Sequence, residues 1–255
     1  SKIGFAGIRF LFAGILVTIL AIIQKRKFKV EQKSVVAWLL LFALVNTALH
    51  YLFSYVGLGY LPSSRSTILD SMNGFFAIIL SCIIFEDDKF SKFKALGCIL
   101  GFSGILLINI EPGQNFFQGI SFRGDGMILL NALCGAFGGI ITRIISKKMD
   151  MTVATSLSMT IGGAFLCVVS AIIGPAARWT ITTESIIIMI GLILISAVCF
   201  GVYNQLLAYH PISKIAIFNA FIPILGVIFS SIILGEPMRV KYIIAGCMVA
   251  LGVYV

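Results

Sequence analysis

Residues 35–64 read VVAWLLLFALVNTALHYLFSYVGLGYLPSS and contain no Asp, Glu, Lys or Arg. Two later stretches, 151–177 and 185–213, are equally free of these four residue types. Each stretch exceeds the ~20 residues that a helix needs to cross a bilayer. Strands of a membrane barrel would instead appear as ~10-residue segments of alternating hydrophobicity. The sequence therefore predicts an all-α polytopic membrane protein.

The composition of the whole chain agrees with this prediction. Of its 255 residues, 59% are hydrophobic and 11% are charged, whereas soluble domains carry about 25% charged residues. The net charge of +9 raises the alternative of a nucleic-acid-binding protein, because basic patches mark such proteins. The basic residues lie in short segments between apolar runs, however, so we interpret the charge as a signal of membrane topology and expect no nucleic-acid partner.

The six cysteines indicate neither a metal site nor a redox site. All of them fall within apolar runs, and no pair has the CxxC spacing. We interpret them as small interior hydrophobic residues, and we expect no cofactor and no metal.

Nine spans are predicted from windows of about 19 residues, at 3–24, 35–57, 64–85, 93–110, 126–145, 151–173, 185–208, 213–235 and 240–255. Alternating loops place twelve basic residues on one side: Lys25, Arg26, Lys27, Lys29, Lys33, Lys89, Lys92, Lys94, Arg143, Lys147, Lys148 and Lys214. The other side carries six: Lys2, Arg65, Arg123, Arg178, Arg239 and Lys241. Because cytoplasmic loops are enriched in Lys and Arg, the Lys25–Lys33 loop is predicted to be cytoplasmic, in a bacterial-type inner membrane.

The chain also contains an internal repeat. A shift of 149 residues aligns Tyr60, Pro62, Ser64 and Ile68 with Tyr209, Pro211, Ser213 and Ile217, and a shift of 150 aligns Glu86 with Glu236. Five spans separate equivalent points, and an odd number inverts the second copy relative to the first. The predicted repeats are 1–113 and 123–255. The first contains one span fewer, so a tenth helix is expected ahead of it.

These residues resemble the EamA-like family of the drug/metabolite transporter superfamily. The segment FAGIRFLFAG, residues 5–14, is similar to the second helix of that family and contains Arg9. The segment IPILGVIFSSIILGEPM, residues 222–238, is similar to the ninth helix and contains the LGE motif at residues 234–236. The first repeat departs from the pattern, with Asn73 in place of a proline and FED at residues 85–87. The resemblance implies two inverted five-helix bundles around a central cavity, and the substrates that it implies are amino acids, nucleotides, sugar phosphates or drugs.

Arg9 and Asp70 are the ionisable residues that stand out within the spans. Ionisable groups within a bilayer are costly and usually mark pathways or paired partners. Each lies about six residues from the same end of its span, or ~9 Å at 1.5 Å per residue, so we predict that they form an ion pair. A structural salt bridge and a role in substrate or proton binding are equally compatible with such a pair.

Other polar residues within the spans are candidates for substrate binding or coupling. Asn46 and His50 share one helical face, and a histidine could couple transport to protons. The remaining candidates are Asn73, Asn131, Tyr203, Asn204 and Asn219. The alternative role for each is a hydrogen bond between packed helices. Pro223 is expected to kink its helix and to serve as a gate, or else to give a static bend.

The function that these features favour is a secondary transporter of small metabolites such as amino acids, nucleosides or drug-like compounds. It would work by alternating access around a site near the middle of the bilayer, as a proton-coupled or exchange-driven exporter. A channel or a non-transporting scaffold is the alternative, and an enzyme is disfavoured because no nucleophile–base or HExxH pattern is present. The Gly97/Gly101 and Gly135/Gly139 pairs favour packing within the chain, with a homodimer contact as the weaker alternative.

Overall fold

The fold is known from a computed structural model, which describes residues 2–28, 33–86, 91–109, 120–173, 182–212, 215, 219 and 221–254. In these residues the regular structure is helical. Part of the Lys25–Lys33 loop lies outside the described residues, as do the repeat positions Ser213 and Ile217, Asp87 of the FED segment, and the loop residues Lys89, Arg178 and Lys214.

Nine helical segments follow one another in the described chain. They are α1 (Lys2–Ile23), α2 (Lys33–Gly57), α3 (Ser63–Ile84), α4 (Lys92–Asn109), α5 (Phe122–Ile145), α6 (Met151–Ile173), α7 (Thr183–Tyr209), α8 (Phe221–Leu234) and α9 (Val240–Tyr254). Six of them, α1, α2, α3, α5, α6 and α7, are long and apolar enough to cross a membrane. Their positions agree with the predicted spans. The tenth helix and the repeat boundaries stay predictions.

Two of these helices are irregular within the apolar region. In α2, a π-helical segment, Ala43–Leu49, separates the α-helical parts Lys33–Phe42 and His50–Gly57. In α3, the parts Ser63–Asp70 and Met72–Ile84 meet at Ser71, whose hydroxyl donates to the Ile68 carbonyl at 2.5 Å. Local π and broken-helix geometry often accompanies functional sites, and candidate residues Asn46 and Asp70 lie at these two places.

The helices form two compact units. Unit 1 consists of Ser1–Tyr55 and Ile141–His210, and unit 2 consists of Val56–Ile140 and Pro211–Val255. Each unit therefore combines residues from both predicted repeats. The compact units thus differ from the sequence halves.

Unit 1 is built on the packing of α1 along α6. Ala6, Phe10, Ala13 and Val17 recur at helical spacing on α1 and are at most 2% exposed, and they pack with Met159 and Leu166 of α6. Helix α7 also packs against α1 and α6. Its other faces carry exposed aliphatic residues such as Ile187, Leu194 and Val198. A large exposed apolar surface is what contact with lipid requires.

Unit 2 has a separate core. Ile68, Met72 and Phe75 of α3 pack with Val249 of α9 and Ile128 of α5. Within this unit α4 packs along α9, and α3 packs against α8.

Small residues mediate the closest helix crossings in both units. In unit 1, a Cβ added to Gly163 of α6 would lie 2.9 Å from the Gly7 carbonyl oxygen and closer still to the Leu11 backbone nitrogen. In unit 2, Gly97 of α4 faces Gly252 of α9 just as closely. The packing role predicted for Gly97 is therefore confirmed. Close backbone approach matters because helices in lipid gain no hydrophobic driving force from association.

We expect Gly163→Ala to destabilise the protein by about 1–3 kcal/mol, because the added methyl group meets backbone atoms of α1 that have no alternative rotamer. The matched control is Gly191→Ala in α7, where an added Cβ would have nothing within 4 Å and helix propensity favours alanine by about 1 kcal/mol. Thermal unfolding of both variants in detergent measures the difference. Equal melting temperatures would show that the α1–α6 crossing is not tight.

Candidate substrate-binding site

The guanidinium of Arg9 lies among hydroxyl and aromatic groups of unit 1. Its Nε donates to Ser196 Oγ at 2.7 Å, and one Nη donates to the Tyr55 hydroxyl at 3.4 Å. The guanidinium carbon lies 4.9 Å from the centroid of the Phe10 ring and 5.8 Å from that of Tyr51. We call Arg9, Phe10, Tyr51, Tyr55, Ser196 and Phe200 the Arg9 cluster. It forms a positively charged, partly aromatic environment.

Asp70 of unit 2 has an amide as its partner. The Nδ2 of Asn131 in α5 donates to Asp70 Oδ1 at 2.5 Å, and Asn131 is 2% exposed. Asp70 itself is half-buried, directly before the helix break at Ser71. Asn73 is also half-buried, one turn further along α3.

The ion pair predicted between Arg9 and Asp70 would join residues of different units, so it stays a prediction. The described hydrogen-bond partners of each residue lie within its own unit.

A ladder of hydroxyl groups on α6 joins three helices of unit 1. Thr155 Oγ1 accepts a hydrogen bond from Asn204 Nδ2 at 3.1 Å, and Thr152 Oγ1 accepts one from Gln205 Nε2 at 2.8 Å. The hydroxyls of Ser158 and of Thr47 in α2 lie 3.1 Å apart. Asn204 therefore forms a hydrogen bond between packed helices, which was the alternative to a role in ligand binding. The Ser/Thr-rich segment TVATSLSMT, residues 152–160, is the sequence signal from which this ladder could have been predicted.

The other candidates are distributed more widely. Asn46 lies in the π-helical segment and is 9% exposed. His50 follows that segment, with its ring edge-on to Tyr51 at 4.8 Å between centroids. Tyr203 is 36% exposed, and Asn219 is half-buried. Pro223 packs close to Gly246 of α9, and its predicted kink stays a prediction, because most residues just before it lie outside the described ones.

One cavity among the described residues, of about 230 Å³, lies between α2 and α6 of unit 1. Its lining is apolar and consists of Leu40, Ala43, Leu44, Ala48, Ile161, Gly162 and Phe165. The predicted site residues do not line this cavity. Among the described residues, groups of three or more His, Cys, Asp or Glu side chains placed to hold a metal ion are absent.

The LGE segment at residues 234–236 links the end of α8 to the start of α3 in unit 2. Helix α8 ends at Leu234, and Gly235 has a φ of 66°, a left-handed conformation that glycine adopts without strain. The turn lets the Glu236 carboxylate accept hydrogen bonds from the backbone N–H groups of Ser63 and Ser64, at 2.7 and 3.0 Å. The carboxylate thus caps the N-terminus of α3.

The next residue along α3 continues this network. Arg65 Nε and Nη2 donate to Asp125 Oδ1 of α5 at 2.8 and 2.6 Å, and the Asp125 side chain is only 4% exposed. We call Ser63, Ser64, Arg65, Asp125 and Glu236 the α3 clasp. Three consecutive residues of α3 thereby hold the end of α8 and the start of α5.

Comparison with known protein families identifies the family of this chain. The sequence model of the EamA-like transporter family matches residues 1–110 and 122–255. The chain therefore belongs to the EamA-like transporter family. As a member, it is a multi-pass membrane transporter, with the bilayer and a small-molecule substrate as its partners.

Individual relatives of this EamA-like protein agree with the family match. It is 28% identical over 248 residues to the uncharacterized transporter YvbV of Bacillus subtilis (strain 168), covering 96% of this chain and 78% of that protein. It is 24% identical over 258 residues to a WAT1-related chloroplastic protein of Arabidopsis thaliana, covering 98% and 61%. A solved crystal structure with 11% identity has a TM-score of 0.70 over 99% of this chain and 85% of its own length, which shows the shared fold.

The Glu236 cap is expected to stabilise the protein in a pH-dependent way. Partial burial raises the pKa of Glu236, but hydrogen bonds from the Ser64 hydroxyl and from the Ser63 and Ser64 backbone outweigh this and lower it from 4.5 to about 2. Because the folded pKa lies below the unfolded one, the stabilisation is complete above about pH 4.5 and is lost as the pH falls toward 2. We expect Glu236→Gln to lower the free energy of unfolding by about 1–2 kcal/mol.

The loss should be constant between about pH 5 and 8, and thermal unfolding across that range measures it. The matched control is Glu86→Gln, at the corresponding position of the first repeat, where the side chain is exposed. A Glu236→Gln variant as stable as the control would refute the cap.

Proposed function

We propose that this protein is a secondary transporter that moves a small metabolite by alternating access. The observation that carries the proposal is Asp70, a carboxylate in a membrane-spanning helix, beside a helix break and hydrogen-bonded to an amide of another helix. Intramembrane carboxylates of this kind mark ion or proton pathways. Broken helices mark the binding sites of inverted-repeat transporters.

The packing of the helices supports an inverted repeat. In the predicted repeat, α1 corresponds to α6, α3 to α8 and α4 to α9. These same pairs are the ones that pack most extensively within their units. Pairing of equivalent helices is what a two-fold axis between repeats produces, and such repeats are typical of carriers that work by alternating access.

The proposed substrates are amino acids, nucleosides or drug-like compounds, and the proposed coupling is to protons or to exchange. Asp70 would bind and release the coupling proton, with Asn131 fixing its position. Asn73 is proposed as a further polar contact within unit 2. Asn46 and His50 are proposed separately as polar contacts within unit 1. A channel or scaffold function is the alternative, and the experiment below separates them.

Counterflow in proteoliposomes tests the proposal. Vesicles preloaded with an unlabelled amino acid, nucleoside or cationic drug should take up the labelled compound transiently above equilibrium, and uptake should saturate. A channel would give flux that neither saturates nor shows counterflow. A scaffold would give no flux above that of empty vesicles.

Asp70→Asn should abolish uptake driven by a pH gradient while sparing counterflow, because the amide cannot carry a proton but keeps the hydrogen bond to Asn131. The control is Glu184→Gln, which removes an exposed carboxylate at the start of α7 and should leave both activities unchanged. Gradient-driven uptake by Asp70→Asn at the wild-type rate would remove Asp70 from the coupling mechanism.

A further inference from the structure

We infer that the Arg9 cluster is a binding subsite for the carboxylate group of an organic monoanion. This inference rests on the proposed transport function and assigns the substrate group that unit 1 recognises. It goes beyond that function, which leaves the charge of the substrate open.

Arg9 carries a permanent positive charge. A guanidinium keeps its proton at every physiological pH, and a permanent charge within a span is costly unless it is compensated. In the described part of unit 1, the acidic side chains are Asp150 and Glu184. Asp150 pairs with Arg26 at 3.3 Å, and Glu184 is exposed at the first turn of α7. The described protein partners of Arg9 are therefore neutral.

Arg9 has more N–H donors than its two described hydrogen-bond acceptors use. A guanidinium has five N–H groups in a planar fork. In the described structure, two of these groups are directed at Ser196 and Tyr55. Arg9 is half-buried, so the remaining donors are neither enclosed by the protein nor fully exposed. A planar carboxylate matches the fork with two parallel hydrogen bonds.

The other residues of the Arg9 cluster hold the guanidinium in place. Ser196 is 1% exposed, and its hydroxyl donates to the Leu192 carbonyl at 2.6 Å, which directs its acceptor toward Arg9. Phe10 is fully buried, with its ring centroid 4.0 Å from that of Tyr51 and 5.7 Å from that of Phe200. Rotamers fixed in this way reduce the entropy lost on binding.

The charge and the donors of the Arg9 cluster match a carboxylate better than a phosphate. Tyr55 accepts from Arg9 through its oxygen, so its own O–H can donate to the same bound group. One cation balances the single negative charge of a carboxylate, and one hydroxyl donates a further hydrogen bond to it. A phosphate dianion would call for a second cation, and in the described spans of unit 1 Arg9 is the basic residue that lies away from the helix ends.

A matched-ligand titration tests the inference. Purified full-length protein is titrated by thermal shift with a panel of 2-hydroxy acids and other monocarboxylic acids that lack an amino group, each compared with its neutral carboxamide. Carboxylates from the panel should raise the melting temperature, and their carboxamides should not. Arg9→Gln should weaken the apparent affinity for a stabilising carboxylate about 10- to 100-fold, the range for one to two charge-assisted hydrogen bonds.

Two further sets of variants separate binding from folding. Arg26→Gln removes a guanidinium that is 43% exposed and should leave the affinity unchanged. If Arg9→Gln fails to fold, Tyr55→Phe and Ser196→Ala keep the charge, and each should weaken carboxylate binding about 2- to 10-fold. Unchanged affinity in these two variants would then count against the subsite.

The inference is overturned if no carboxylate in the panel stabilises the protein, if the carboxamides bind equally well, or if a folded Arg9→Gln binds carboxylates with wild-type affinity. Failure of the transport proposal gives a different result, which is the absence of counterflow for every compound tested. Counterflow of neutral or cationic compounds alone would keep the transport function and exclude the Arg9 subsite.

Discussion

The close crossing of α1 and α6 is the contact on which unit 1 depends. Glycines at positions 7 and 163 let the two backbones approach so closely that an added Cβ at either position would overlap backbone atoms of the other helix. In lipid, where association of helices gains nothing from the hydrophobic effect, such contact provides the dispersion energy that holds helices together. Arg9 lies on α1 one turn or less from this crossing, and its described partners come from α2 and α7.

The lipid environment also explains how polar groups are arranged in both units. Lipid offers no hydrogen bonds, so each buried polar side chain needs a partner in the protein. The hydroxyls on α6 meet this need in unit 1, as the α3 clasp does near the helix ends of unit 2. Arg9 and Asp70 differ from these groups because each is an ionisable side chain within a span whose described hydrogen-bond partners are neutral. This difference separates candidate functional residues from those that join helices.

The sequence was sufficient to predict the helices, because long apolar runs have one stable form in a bilayer. It also singled out Arg9, Asp70 and Asn131, because polar residues are conspicuous in such runs. The partners were harder to predict. Tyr55 and Ser196 contact Arg9 from two other helices, and the rotation of a helix about its axis is set by packing that apolar spans scarcely encode. The LGE segment is recognisable in the sequence as a motif. Its capping role is visible only in the structure, from the φ of Gly235 and the position of Ser63.

The central claim is that two related sets of spans are threaded through the membrane in opposite directions. Single cysteines introduced at Lys27 and Lys148 in a cysteine-free background, and labelled in intact cells with an impermeant maleimide, test it most directly. The account predicts that both positions are protected until the membrane is permeabilised, while a cysteine at Arg239 is labelled from outside. Labelling of Lys27 and Lys148 from opposite faces would contradict the antiparallel arrangement.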